Sequence, residues 1–132
     1  MKNESTNALA LISNDATEYE VKKALYNLGT SAEKRLSSMV NDVIMVKAFA
    51  FSDATVTDKQ TRETRESERV LVIDADGVTY HSMSAGLVGG FHNIAGIFGT
   101  EKNHLVTIDE PIPVKILEKD TPNGHTFVPV ID

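Results

Sequence analysis

From Asp42 the chain alternates. Val43, Met45, Lys47, Phe49 and Phe51 fall on one side of an extended chain, and Ile44, Val46, Ala48 and Ala50 on the other. This period of two predicts a strand over 43–51 with both faces largely apolar and one positive charge. Residues 69–73 (RVLVI) and 78–83 (VTYHSM) read as a second and third strand around the turn Asp74-Ala-Asp-Gly77, since Asp-Gly between β-rich runs is a strong hairpin signal. Two last strands are predicted at 113–119 and 126–131, joined by Asp120-Thr-Pro-Asn-Gly124.

Helical spacing occurs twice. Val21, Leu25 and Leu28, then Leu36, Met39 and Val40 after Gly29-Thr-Ser31, predict one broken helix or two short ones over 20–39. Residues 84–98 (SAGLVGGFHNIAGIF) predict a helix with Ser84 as N-cap, Leu87, Phe91, Ile94 and Phe98 as the buried stripe, and Gly99 as the C-terminal stop. Four glycines between Gly86 and Gly96 weaken an exposed helix by roughly 1 kcal/mol each relative to Ala. Close packing against a curved sheet accounts for them. Residues 53–68 are polar and of mixed charge and predict a long hairpin loop, with room for frayed extensions of the flanking strands; 100–112 predict a second loop with one apolar run, Leu105 to Ile108.

The predicted order is helix, three strands, helix, two strands. That is a mainly β (α+β) layout: a five-stranded OB-fold barrel with a helix between strands 3 and 4 and an N-terminal helical extension. Other five-stranded α+β arrangements fit the same order. Residues 1–18, rich in Asn, Ser, Thr and Ala, read as a flexible N-terminal segment, and 19–132 as a single OB-like domain.

Composition narrows the chemistry. The 132 residues contain no Cys and no Trp, so disulfides, thiolate nucleophiles and cysteine-ligated metals are excluded. The first twenty residues do not predict a secretory signal, and no apolar run reaches the ~20 residues of a membrane span. His81, His92, His104 and His125 have no metal-ligand spacing, and Asp74-Ala-Asp-Gly77 lacks the later ligands of a calcium loop. The glycines of 86–99 precede no Gly-Lys-Ser/Thr, and no Gly-x-Ser-x-Gly elbow exists. We expect no catalytic residue, no metal, no cofactor and no enzymatic activity.

The net charge of −6 argues against a strongly basic binder. Over the five predicted strands, however, Lys47, Arg69, Lys115 and Lys119 face only Glu118, a net +3 that leaves −9 for the rest of the chain. A weakly cationic sheet with acidic edges follows. Single-strand binding needs aromatic planes and cations on one surface. Lys47, Phe49 and Phe51 alternate on one predicted face. Phe49, Phe51 and Tyr80 are candidate stacking platforms; Lys47, Arg69, Lys115 and Lys119 are candidate backbone contacts, with Arg62 and Arg65 closing over the strand from the long loop.

The stretch from Glu68 through RVLVIDADGVTYHSMSAGLVGGFHNIAGIFG to Gly99 resembles the OB-fold single-stranded-DNA-binding proteins of tailed phages and Gram-positive mobile elements. An arginine leads into a hydrophobic-Ile-Asp strand, followed by a Gly-x-x-Tyr hairpin, a Ser-x-Gly turn, a hydrophobic helix and a closing Phe-Gly. The flanks Leu36–Phe51 and Pro113–Val130 are similar too, so the likeness covers about residues 35–132. It implies sequence-tolerant binding of single-stranded DNA in phage or plasmid replication or recombination, in the cytoplasm of a bacterial host. It adds weight to Arg69 and Tyr80, and less to Ser82. The chain ends in the predicted strand Phe127-VPVID, so recruitment of replication partners through an acidic tail does not carry over. RNA as ligand, a homo-oligomer and replication or recombination proteins stay open as partners; no membrane partner is expected. The rival reading is a protein-interaction or oligomerisation module that binds no nucleic acid.

Overall fold

The computed structural model describes residues 17, 19, 23, 26, 27, 34–57, 59–102, 105–122 and 124–132, with backbone alone at 53–56, 65, 66 and 102. Within them one mixed sheet contains β1 (Lys34–Arg35), β2 (Val43–Thr57), β3 (Thr64–Asp74), β4 (Thr79–Ser82), β5 (Thr100–Lys102), β6 (Leu105–Thr121) and β7 (Gly124–Ile131). The order is β1-β4-β3-β2-β6-β5, with β7 also on β6. β1 and β4 are parallel, and the other pairs are antiparallel. Helix α1 (Ala85–Phe98) connects β4 to β5.

All five predicted strands form, but the five-stranded barrel expands to a curled sheet of seven, with α1 between its fourth and fifth strands. Most of the predicted loop 53–68 is ladder, paired from Asp53↔Glu68 out to Thr57↔Thr64. The backbone ladder extends both flanking strands through a polar, mixed-charge sequence that has no hydrophobic period of its own. Likewise 100–102 and 105–112 are strand: Thr100 pairs with Thr107, and Leu105, Val106 and Ile108 are buried.

The N-terminal helical extension is corrected in part. Tyr19, Lys23, Tyr26 and Asn27 are helical and exposed; residues 1–16 and the predicted stripe Val21, Leu25 and Leu28 lie outside the described residues. The second half of that prediction is not α-helical. Lys34 and Arg35 pair with Tyr80 and His81, and a single 3-10 turn, Leu36–Ser38, follows. The spacing of Leu36, Met39 and Val40 is real but spans one turn, because the ladder takes the backbone on either side. Val40 bridges Ile116, and the Asn41 N–H donates to the Ile116 carbonyl at 2.7 Å. Residues 34–43 thereby run from the β4 edge to β6 and draw the sheet into a half-barrel, with Leu36 fully buried in its core.

The bend sits at Lys47. Val46 pairs with Ile112 and Ala48 with Thr107, so Ile108 to Pro111 stand opposite Lys47 alone. The Lys47 ammonium donates to the carbonyls of Ile108 and Asp109 at 3.0 and 3.1 Å, satisfying acceptors that the interrupted ladder leaves over.

Helix α1 covers the core face between β3 and β7. Leu87, Val88, Phe91 and Ile94 point inward, while Phe98, expected to be buried, is 45% exposed. Gly99 takes its place: its backbone abuts the Val106 side chain and is extended, not left-handed, because β5 starts at the next residue. Gly86 and Gly90 explain two of the helical glycines. A Cβ at Gly86 would run into the Phe127 carbonyl, and one at Gly90 into the Pro129 ring.

Candidate nucleic-acid interface

The two outer members of the predicted aromatic trio are internal. Phe49 is fully buried, edge-on to Phe91 at 5.1 Å and to Phe51 at 5.8 Å. It is the centre of the core, since α1 packs on the face that carries it. Tyr80 is 5% exposed, and its hydroxyl donates to Asp74 Oδ2 at 2.9 Å. The other carboxylate oxygen of Asp74 accepts from the N–H groups of Asp76 and Val78, at 2.9 Å each. The Asp-Gly turn is thus stapled from within, and neither Phe49 nor Tyr80 presents a ring face to a base. Phe51 keeps a half-buried ring, stacked on His92 of α1 at 3.7 Å and 7°. His92 is in turn paired with Glu68.

The cations are dispersed. Lys47 is tied to the β6 bulge as described. Lys115 is half-buried in a row with Val43 and Val130, and Lys119 is exposed opposite Thr126. Beside Lys119, the hairpin carries Glu118, Asp120 and His125, whose Nδ1 lies 2.8 Å from Asp120 Oδ1. Arg62 is exposed in the β2–β3 turn with a left-handed φ of 60°. Arg65 pairs with Val56 in the ribbon, and Arg69 stands half-buried at its base opposite Ser52. Beyond Ser52 and Arg69 the ribbon, among the described residues, pairs only its own two strands: β6 leaves β2 at Phe49, and β4 leaves β3 at Val70. Its turn carries Lys59 and Arg62, both exposed. Ser82 is buried, and its Oγ accepts the Ser84 N–H at the entry to α1.

The positive character of the predicted sheet is also revised. Over the observed strands the charges sum to −1, because the longer β3 and β6 take in acidic residues. What is cationic is one edge. Arg35 of β1 pairs with His81 of β4, which on its other side pairs with Leu71, two residues from Arg69 on the same face of β3. Both guanidinium groups lie near enough to act on the His81 ring, which is held below the usual 6.5 by burial first, then by Arg69 and Arg35. No local pattern marks Arg35 as a contact residue. Its stretch has helical spacing, and only a parallel pairing with a distant strand brings it near Arg69.

The polar ribbon leaves a curled sheet, with Arg69 at its base and Arg35 on the neighbouring edge. The family model of phage single-stranded DNA-binding proteins, of phi29 type, matches residues 3–130. The chain belongs to that family, and its ligand class is single-stranded DNA. The match includes the N-terminal residues that the resemblance in sequence left out. Neither the curated proteins nor the solved structures gave a match. No helix among the described residues is long and apolar enough to cross a membrane.

Proposed function

We propose that the chain coats single-stranded DNA without sequence preference during phage replication or recombination, in the cytoplasm of a bacterial host and with no catalytic step of its own. The observation that carries this reading is the convergence of Arg35 and Arg69 on His81 at the β1–β4–β3 edge, at the foot of a ribbon that carries Lys59, Arg62 and Arg65. Phosphate contacts dominate, because burial of Phe49 and Tyr80 removes two of three stacking platforms. Phe51, backed by His92, is the remaining aromatic candidate. Lys115 and Lys119 form a separate contact on the β6–β7 side.

Titrating labelled oligo-dT into the full chain tests this. Anisotropy should rise at low salt, with log K falling by about 0.7 per phosphate contact for each tenfold rise in salt. Flat anisotropy up to ~10 µM protein, far above the ordinary range of specific affinities, overturns the reading.

Self-association is a second reading, favoured by one row of the sheet. Val43, Lys115 and Val130 are aligned across β2, β6 and β7, with both valines and neighbouring Met45 more than 40% exposed. Sedimentation equilibrium of wild type and Met45→Glu separates the cases: a dimer abolished by Met45→Glu supports it, and a monomer overturns it.

A further inference from the structure

We propose that His81 is itself a phosphate ligand of the single-strand site, binding one DNA phosphodiester between Arg35 and Arg69 and taking up a proton as it does so. This rests on the single-strand reading and adds to it a residue and a direction of pH dependence.

The placement is the first argument. His81 lies on a ladder row between Arg35 on one neighbouring strand and Leu71 on the other, with Arg69 on the Leu71 face. From β1 the charged groups are Lys34 and Arg35; from β3 the nearest is Arg69; the 3-10 turn Leu36–Ser38, which packs on β4, has no ionisable side chain. Glu68, next to Arg69 in the chain, is engaged with His92 of α1. The described charges facing His81 are therefore all positive, an arrangement suited to an anion.

The ring's electrostatics supply the second. Burial and two guanidinium groups keep the free imidazole neutral near pH 7. A docked phosphodiester opposes that field: its single negative charge, at hydrogen-bond distance from the ring, favours the imidazolium, whose N–H groups then donate to phosphate oxygens. The proton comes from solvent and no bond is made or broken. An arginine in this position would add a third permanent repulsion to the empty site. Histidine becomes charged only when the ligand is present.

The two states differ in bound protons, so DNA affinity must fall as pH rises. Oligo-dT binding by the full chain should tighten about three- to tenfold from pH 8 to pH 5.5, the change that a rise of roughly half to one unit in the His81 pKa produces. His81→Gln should flatten that dependence, leaving residual binding through Arg35 and Arg69. In parallel, histidine ring resonances of the wild type followed by NMR should show the His81 pKa rising when oligo-dT saturates the protein, with His125 unmoved. That measurement needs no variant. Equal pH dependence in wild type and His81→Gln, with an unchanged His81 pKa, overturns the role of His81 and leaves single-strand binding intact. Absence of oligo-dT binding at every pH at low salt overturns both.

Discussion

The Tyr80 hydroxyl donates to Asp74 Oδ2 across 2.9 Å, and both residues are buried. A tyrosine that reads as a stacking platform is therefore an internal brace, holding the carboxylate that organises the β3–β4 turn. Tyr80→Phe keeps the ring and deletes the bond. Chemical denaturation should show a loss of about 1.5–3 kcal/mol, the usual worth of a hydrogen bond to a charged group, with oligo-dT affinity changed less than twofold.

Phe49 separates core from interface more sharply. Its ring fills the centre of the core against Phe91 and Phe51, so Phe49→Ala should cost about 3–5 kcal/mol, much of the 5–15 kcal/mol typical of a domain. Loss of a cooperative thermal transition near room temperature, with DNA binding lost in step, is the expected outcome. A stable variant with selectively weakened binding would contradict the placement.

The helical glycines divide by what surrounds them. Gly96 has open space where its Cβ would stand, whereas Gly86 meets the Phe127 backbone. Gly96→Ala should raise stability by about 1 kcal/mol through helix propensity. Gly86→Ala should lower it despite the same propensity gain, because a carbonyl of β7 must move. The pair of melting temperatures, one up and one down, is the measurement.

Arg35 and Arg69 should report on the ligand through salt. Each replaced by Ala should lower affinity at low salt and reduce the slope of log K against log salt by about 0.7 if it contacts one phosphate. Lys47→Met should leave that slope nearly unchanged and lower stability instead, since its ammonium is spent on the Ile108 and Asp109 carbonyls.

His81 also links folding to pH without DNA. Its folded pKa is below the unfolded value of 6.5, so the unfolded chain binds the proton first as pH falls. The contribution of His81 to stability is complete above 6.5, declines as pH drops through it, and levels off below the folded pKa. Thermal unfolding of His81→Gln should therefore lose less stability than wild type between about pH 7.5 and 5.5, the window of histidine titration.

Local pattern was enough for the central strands, the Asp-Gly turn and the inward residues Leu87, Phe91 and Ile94, because period and turn chemistry are short-range properties. The β2–β3 ribbon was legible only as room for strand extensions in a long hairpin, since its polar, mixed-charge sequence has no hydrophobic period. The 34–40 segment was not legible, because its one buried turn has the same spacing as a longer helix.

By itself the sequence determined a mainly β chain with one glycine-rich helix, a single-strand-binding family likeness and a modest set of cations. Only the tertiary structure decided which of those residues share a surface. Alternation assigns Lys47, Phe49 and Phe51 to one side of a strand, but the bulge at Lys47 switches the inward positions from Ile44 and Val46 to Phe49 and Phe51, which α1 then covers. Arg35 and Arg69, 34 positions apart in the chain, meet at His81 because a parallel two-residue strand docks on β4. Period encodes sidedness. Which side faces solvent, and which distant charge lies beside it, depends on long-range pairing that no local window contains.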